Sequence, residues 1–473
     1  MTSAGSRHNR LWPALLIAAA MLAVWVGWVG FEASDDSLYY AGADAWLRHP
    51  PSAGVDHWTT RFPLVLAFAG VLAIVGRGFA AFAVTGLLFY AIFVALVGRY
   101  AHGIGGARAG WIATLLIATL PVVVANATTA GIDLVEASAL IAGAMLLGGA
   151  RAGIGRGFAA GLCFGIAILC RETSLLPLAV FAPLFLIGRP VPRRVLFAAG
   201  IGIMLVLSVE AAFQYALTGD PLRRYAIAFH HDEHIDRAAN AEGNFLLWPP
   251  IDPLLVLLVN DDFGLLFWLA GIALALGATR GLGEGARRRL IVLAAIAASG
   301  FVLVGALYTK LVLNPRYFML AAVAATLVLA VWLDRLPARW RIGLLAAIVA
   351  SDLILMGAGN AHPHWQAEAL VAAARAHPGE IVAGAPADVR RAEIPIAFGQ
   401  LHNIRATPAA PGGLAVAPAD AAPAGTIVAR YPPPPTRLGS LIRALGLAPL
   451  VPPAIAHRLF APGTEIVLVR TRG

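Results

Sequence analysis

The chain has 473 residues, 59% of them hydrophobic and 13% charged, with a mean hydropathy of +0.77. These values exclude an ordinary soluble globular protein and a disordered one, and leave a polytopic membrane protein. The formal charge of +9 comes almost wholly from arginines in short loops between apolar runs, which reports membrane topology and not nucleic-acid binding.

The first element, Leu11 to Phe31, follows Arg7 and Arg10 in the charge order of a signal peptide. Its apolar run is too long for a cleaved leader and reads as an uncleaved anchor. Further apolar runs lie at residues 62–76, 79–98, 107–126, 134–149, 156–170, 174–188, 194–217, 262–279, 290–308, 316–333 and 341–358. The two cysteines, Cys163 and Cys170, share one of these runs, where a helical rise separates them by about 10 Å. That is too far for a disulfide, so both read as small core residues.

The basic clusters fix the sides. Arg7/Arg10, Arg99/Arg108, Arg151/Arg156, Arg189/Arg193/Arg194, Arg280/Arg287/Arg288/Arg289 and Arg335/Arg339/Arg341 should all face the cytoplasm. Three runs separate the first two clusters, and an odd number of crossings would put them on opposite sides. The conflict disappears if the short run at 62–76, opened by Pro63 and closed by "GRG", is a juxtamembrane or re-entrant segment. About eleven crossings then remain, with the N-terminus inside and the C-terminus outside.

Residues 32–61, 127–133, 171–173, 218–261, 309–315 and the tail from about 359 consequently face out, and they gather the ionisable residues nearest the bilayer on one side. In "DDSLYYAGADAW" the helical spacing of apolar residues predicts an amphipathic helix on the outer surface, with Tyr39 and Tyr40 at the lipid interface. Asp35 or Asp36 suits its N-cap. Asp133, in "TTAGIDLVEASAL", sits in the same way at the start of a span, with Glu136 one turn deeper. Each acid alone fits a cap. Their convergence at one outer interface also suits a carboxylate that takes a proton from an acceptor hydroxyl.

The run "FHHDEHIDR" brings His230, His231 and His234 beside acids, which are metal-ligand types without a recognised zinc spacing, and a solvated helix suits it as well. The following "NFLLWPP" suits packing against lipid. The tail changes character: "WQAEALVAAARAH" predicts a helix, and "EIVAGA", "TIVARY" and "EIVLVRT" predict short strands between Pro- and Gly-rich turns. A membrane domain over residues 1–358 and a small α/β domain over 359–473 are expected, the latter with no visible catalytic motif.

The pair "DDSLY" in the first outer loop, the segment "RFPLVLAFAGVLAIVG", the spans leading to "AGID" and the turn "LCRETSLLPL" together resemble membrane glycosyltransferases of the GT-C fold. The resemblance is to the protein O-mannosyltransferase and aminoarabinose-lipid A transferase families and runs over most of residues 10–335. It implies an α-helical polytopic fold, a polyprenyl-phosphate sugar donor, an extracytoplasmic acceptor, no nucleotide sugar and no required metal or other cofactor. Asp35 matches the first acid of the family's Asp-Glu pair and so the acceptor-activating base. Asp36 replaces the Glu with a shorter carboxylate, and Asp133 matches the acid of the second outer loop. Arg171 matches the family's basic turn, Arg316 in "LNPRYF" resembles an arginine-tyrosine pair of a late span, and Lys310 lies nearby. These three suit a leaving phosphate, although basic residues at helix ends also snorkel to the interface.

The resulting expectation is an inverting glycosyltransferase of the inner (plasma) membrane. Two other classes compete. A secondary transporter needs ionisable or broken helices near the midplane and related halves, whereas here the charges cluster at one face and no repeat is seen. A non-catalytic envelope assembly protein would leave Asp35 without a chemical role.

Overall fold

A computed structural model describes residues 4–149, 153–230, 251–307, 314–359 and 365–472. The chain opens with α1 (Ala4–Val26), α2 (Asp35–Arg48), α3 (Phe62–Val75), α4 (Phe79–Thr119), α5 (Pro121–Ala125), α6 (Asp133–Gly148) and α7 (Ile154–Cys170). It continues through α8 (Leu175–Leu178), α9 (Phe181–Ile187), α10 (Arg193–Thr218), α11 (Arg223–His230), α12 (Asp252–Val259), α13 (Leu266–Ala275), α14 (Glu284–Ala306), α15 (Met319–Arg335) and α16 (Ala338–Gly359). Among the described residues, five helical stretches are long and apolar enough to cross a membrane: Phe79–Thr119, Arg193–Thr218, Glu284–Ala306, Pro315–Arg335 and Ala338–Gly359. The chain is a multi-pass membrane protein.

Several runs differ in detail from the sequence expectation. The runs at 79–98 and 107–126 are joined in α4, which is interrupted only at Gly106, where φ is 84°. Glycine adopts that conformation without a Cβ clash, so the chain turns there with no intervening loop. The run at 174–188 is broken into a 3-10 turn (Glu172–Ser174), α8 and α9, with Pro177 inside the first pieces.

Small residues set the tightest helix contact. In α7, Gly157 and Gly161 lie one turn apart and face α10, where an added Cβ would come within 2.4 Å of the Val195 carbonyl and 2.0 Å of the Ala199 carbonyl. Backbones approach this closely only where side chains are absent, the usual membrane solution when lipid offers no hydrophobic driving force. The main core is drawn from α4, α6, α7, α14 and α15, with Phe93, Phe164, Leu293, Val323 and Leu327 all fully buried.

A second core lies under α2 and α3, where Tyr39, Phe68, Phe82 and Ile132 close together. It corrects the placement of the tyrosines at the lipid interface. Tyr39 is fully buried, and Tyr40 stacks on Phe82 at 5.4 Å and meets Phe398 edge-on at 5.6 Å. An aromatic with a polar tip suits a protein interior equally well when its hydroxyl has a hydrogen-bond partner there.

The C-terminal region comprises α17 (Trp365–Ala376), β1 (Val382–Ala383), α18 (Pro386–Arg391), α19 (Glu393–Gly399), β2 (Ile404–Arg405), β3 (Leu414–Pro418), β4 (Gly425–Tyr431), α20 (Arg437–Ala444), α21 (Pro453–Phe460) and β5 (Ile466–Thr471). Its small sheet has the order β2-β1-β3-β5-β4, parallel from β2 to β3 and antiparallel thereafter. Leu370 and Val371 of α17 pack with Val382, Leu414 and Leu468 of the sheet. Ile394 and Phe398 of α19 reach the second core, so this region is seated beside the loop that carries the acids.

Candidate active site

Asp36 faces its own turn. Its carboxylate accepts the backbone N–H groups of Glu32 at 2.7 Å, Ser34 at 2.9 Å and Ser37 at 3.0 Å, and the side chain is buried. The loop reaches this wrap through Ala33 at a φ of 55°, a left-handed conformation that L-residues rarely adopt. All three of these bonds order residues 32–37. Asp35, the first residue of α2, points elsewhere and retains about one-third of its side-chain exposure.

Asp133 and Glu136 occupy the first turn of α6, where a three-residue spacing puts both side chains on one face. The guanidinium of Arg171, just past the end of α7, spans the pair. Its Nη2 donates to Asp133 Oδ1 at 2.6 Å and its Nη1 lies 3.1 Å from Glu136 Oε2. Ser174 Oγ donates to Glu136 Oε1 at 2.6 Å. Arg171 therefore bridges two carboxylates with one charge-assisted contact to each.

Arg316 is held differently. Asn314 caps its 3-10 turn by accepting the Arg316 N–H at 3.1 Å. Its Nη1 then lies 3.5 Å from Asp35 Oδ2 and 3.8 Å from Asp133 Oδ2, longer than good charge-assisted hydrogen bonds. Its Nε is buried without a partner among the described residues. The ring of Tyr317 lies under both cations, 5.0 Å from Arg171 and 5.8 Å from Arg316, a favourable cation–π arrangement. Asp133, Glu136, Arg171, Arg316 and Tyr317 line a cavity of about 50 Å³.

Three groups at the site were not singled out in the sequence. Arg61, at the start of α3, is buried and donates to the Tyr39 hydroxyl and to His57 Nε2. Its Nε has no partner among the described residues. Glu32 lies beside Asp35 and Asp36, and burial together with those neighbouring charges raises its carboxyl to about 7. Tyr317 supports the two arginines. The signals were present: three acids within five residues at 32–36, and an arginine directly before the Phe-Pro pair that opens α3.

The structure thus brings Asp35, Asp133, Arg171 and Arg316 into one niche from four separate chain segments and turns Asp36 away from it. His230 is exposed at the end of α11, with its Nδ1 2.6 Å from the Ala226 carbonyl. Lys310, His231 and His234 lie outside the described residues. Among the described residues, no group of three or more His, Cys, Asp or Glu side chains is arranged to hold a metal ion. A larger cavity of about 570 Å³ lies at the seam between Trp28, Phe31 and Phe79 on the membrane side and Trp365, Arg375 and Arg437 on the C-terminal side.

No protein-family model matches the sequence, and no curated protein does. Solved structures match by shape. The chain is similar to ArnT from Cupriavidus metallidurans in the apo state, with a TM-score of 0.59 and 14% identity over 98% of both chains. It is also similar to ArnT bound to undecaprenyl phosphate, with a TM-score of 0.58 and 14% identity over 97% of this chain and 98% of that one. The archaeal oligosaccharyltransferase AglB from Archaeoglobus fulgidus, in complex with an inhibitory peptide and a dolichol-phosphate, matches with a TM-score of 0.51 and 14% identity over 82% of this chain and 64% of its own length. The fold shared over nearly the whole chain with ArnT and over 82% of it with AglB is the GT-C fold of membrane glycosyltransferases, and this chain has it.

Proposed function

We propose that the protein is an integral-membrane glycosyltransferase that passes a sugar from a polyprenyl-phosphate donor to an extracytoplasmic acceptor, a lipid, glycan or protein. The observation that carries the reading is the contrast within the niche: Asp35 and Arg316 meet loosely, while Asp133 and Arg171 are tightly paired, and Arg316 shares a cavity with that pair. The undecaprenyl phosphate of the ArnT complex and the dolichol-phosphate of the AglB complex support the donor class. In this reading about eleven helices cross the inner (plasma) membrane, with the N-terminus cytoplasmic, residues 1–358 catalytic and residues 359–473 on the far side.

Asp35 is the base. Its carboxylate takes the proton of the acceptor hydroxyl as the acceptor oxygen attacks the anomeric carbon from the face opposite the phosphate. The bond from that carbon to the phosphate oxygen breaks, and the electron pair leaves with the polyprenyl phosphate. Arg316, with unfilled donors, stabilises the growing negative charge. Asp133 and Glu136 are paired with Arg171 and hold the niche in shape. The buried charge of Arg61 adds positive potential from behind. The donor is a hexose or pentose, and the seam cavity beside Phe31 is the acceptor's approach.

Reconstituted protein should consume an undecaprenyl-phosphate-linked mannose, glucose or arabinose when supplied with membrane extract as acceptor. Asp35→Asn should lower turnover by roughly 10²–10⁴-fold with the thermal midpoint kept. Turnover unchanged in Asp35→Asn would remove the assigned base.

A further inference from the structure

The helix pair α20 and α21 rests on the ends of two membrane helices. Leu438 fills the space over Gly357 of α16, where an added Cβ would lie 2.3 Å from its side chain. Arg437 Nη1 donates to the Trp25 carbonyl of α1 at 3.3 Å, and its guanidinium lies 5.2 Å over the Trp28 ring. Thr436 Oγ1 accepts the Gly439 N–H at 3.0 Å and caps α20. Thr436 N–H in turn bonds the Leu459 carbonyl at 2.9 Å and ties the two helices together. The segment joining them is therefore held beside the last turns of α1 and α16.

That segment reads "LGLAPLVPP", without a charge. Leu450 is 77% exposed, Leu445 62% and Leu447 44%, an apolar cluster with no protein cover. The lipid-facing side chains of the two supporting helices, Trp25 and Ile354, are exposed in the same way. Basic residues flank the cluster on both helices, Arg437 and Arg443 on one and Arg458 on the other. Arg443 stacks over Phe460 at 4.7 Å. Exposed leucines ringed by arginines, and continuous with lipid-facing helices, have the chemistry of a segment lying in a bilayer interface.

We infer that the α20–α21 connection is an interfacial anchor. Leu445, Leu447 and Leu450 enter the leaflet on the side of the C-terminal region, and Arg443 and Arg458 meet the phosphates of anionic lipids, while Arg437 holds the segment to α1. The anchor fixes the wall of the seam cavity formed by Pro434 to Arg437, because the same residues lead into α20.

The test uses the full chain in vesicles of phosphatidylcholine and phosphatidylglycerol, on a Cys163→Ala background, with an environment-sensitive fluorophore on Leu450→Cys or on Asp420→Cys. Asp420 is exposed on a turn distant in sequence from the pair, and neither site is buried, so both variants fold. At 450, aqueous iodide quenching should be at least three-fold weaker than at 420, and a lipid nitroxide at acyl carbon 5 should quench strongly. Arg443→Gln with Arg458→Gln should reduce the nitroxide quenching. Equal iodide access at both sites would overturn the proposal. Shielding from iodide without nitroxide quenching would overturn it too, and would mark a second copy of the chain as the cover.

Discussion

Two buried ion clusters lie back to back on neighbouring residues of one turn, and they are built in opposite ways. Arg171 looks toward Asp133, Glu136, Arg316 and Asp35. Its neighbour Glu172 looks toward Arg224, which is fully buried and donates to Glu172 Oε1 at 2.9 Å and to the Ile168 carbonyl at 2.9 Å. Glu210 and Gln214 of α10 complete this second cluster, where Gln214 donates to the Ala53 carbonyl at 3.2 Å. Arg223 donates to the Gly54 carbonyl at 2.7 Å. The first cluster opens on a cavity and leaves a cation half-used. The second is centred on the fully buried Arg224, and its polar groups tie α10, α11 and the 53–54 loop to the turn that carries Arg171. Both clusters keep unpaired polar atoms among the described residues, Arg316 Nε in the first and Arg224 Nη1 with both Glu210 oxygens in the second. Similar residue types thus do different work through access to a cavity, and not through charge, burial or spare hydrogen-bonding capacity.

The largest effect that probes this contrast belongs to the second cluster. Arg224→Ala leaves the buried Glu210 and the partly buried Glu172 without their cation and should destabilise the fold by about 3–5 kcal/mol. Thermal unfolding in detergent would measure it, and the donor KM of the surviving folded fraction should stay unchanged. A stable Arg224→Ala protein with impaired turnover would break the division between the clusters.

Arg316→Lys should act the other way. Lysine keeps the charge and loses the planar fork, so the fold should hold while kcat/KM for the donor falls by roughly 10–100-fold, the worth of one or two charge-assisted hydrogen bonds. Steady-state kinetics beside an unfolding curve would separate the two. Loss of stability in step with activity would show that Arg316 is as structural as Arg224.

The open cluster was the more legible in sequence, because each of its members stands where an outer loop meets an apolar run: Asp35 after the first, Asp133 before another, Arg171 and Arg316 at the ends of two more. The run pattern reveals such positions without any knowledge of packing. The second cluster and Arg61 depend on loops folding back across the bundle, which periodicity does not encode. Tyr39 was misplaced for the same reason: its amphipathic ring fits a lipid interface until Arg61 supplies a buried partner. Strand β3, "LAVAP", carries one β-branched residue and two alanines, so it has little intrinsic strand signal and exists because β1 and β5 pair with it on either side. The seam with α19 was likewise invisible, since Ile394 and Phe398 find their partners in α2 and α4 across the length of the chain.

Glu32 gives the smallest and most specific test. It belongs to the open cluster, yet its raised carboxyl means that it is held partly neutral near pH 7, because burial and the charges of Asp36 and Asp35 both oppose its ionisation. The sign follows from proton binding. Below about 4.5, its usual value, the folded and unfolded chains both hold the proton and the group has no effect. Between about 4.5 and 7 the unfolded chain has released it and the folded chain has not, so stability falls with rising pH. Above about 7 the loss is complete and constant. Glu32→Gln removes this titration, and its unfolding midpoint should decline less across that window than the wild type, with the two proteins converging below it. Parallel curves would mean that Glu32 is ionised at every pH above its usual value. The open cluster would then carry one more full negative charge, and Arg316 would be no more available to a phosphate than Arg224.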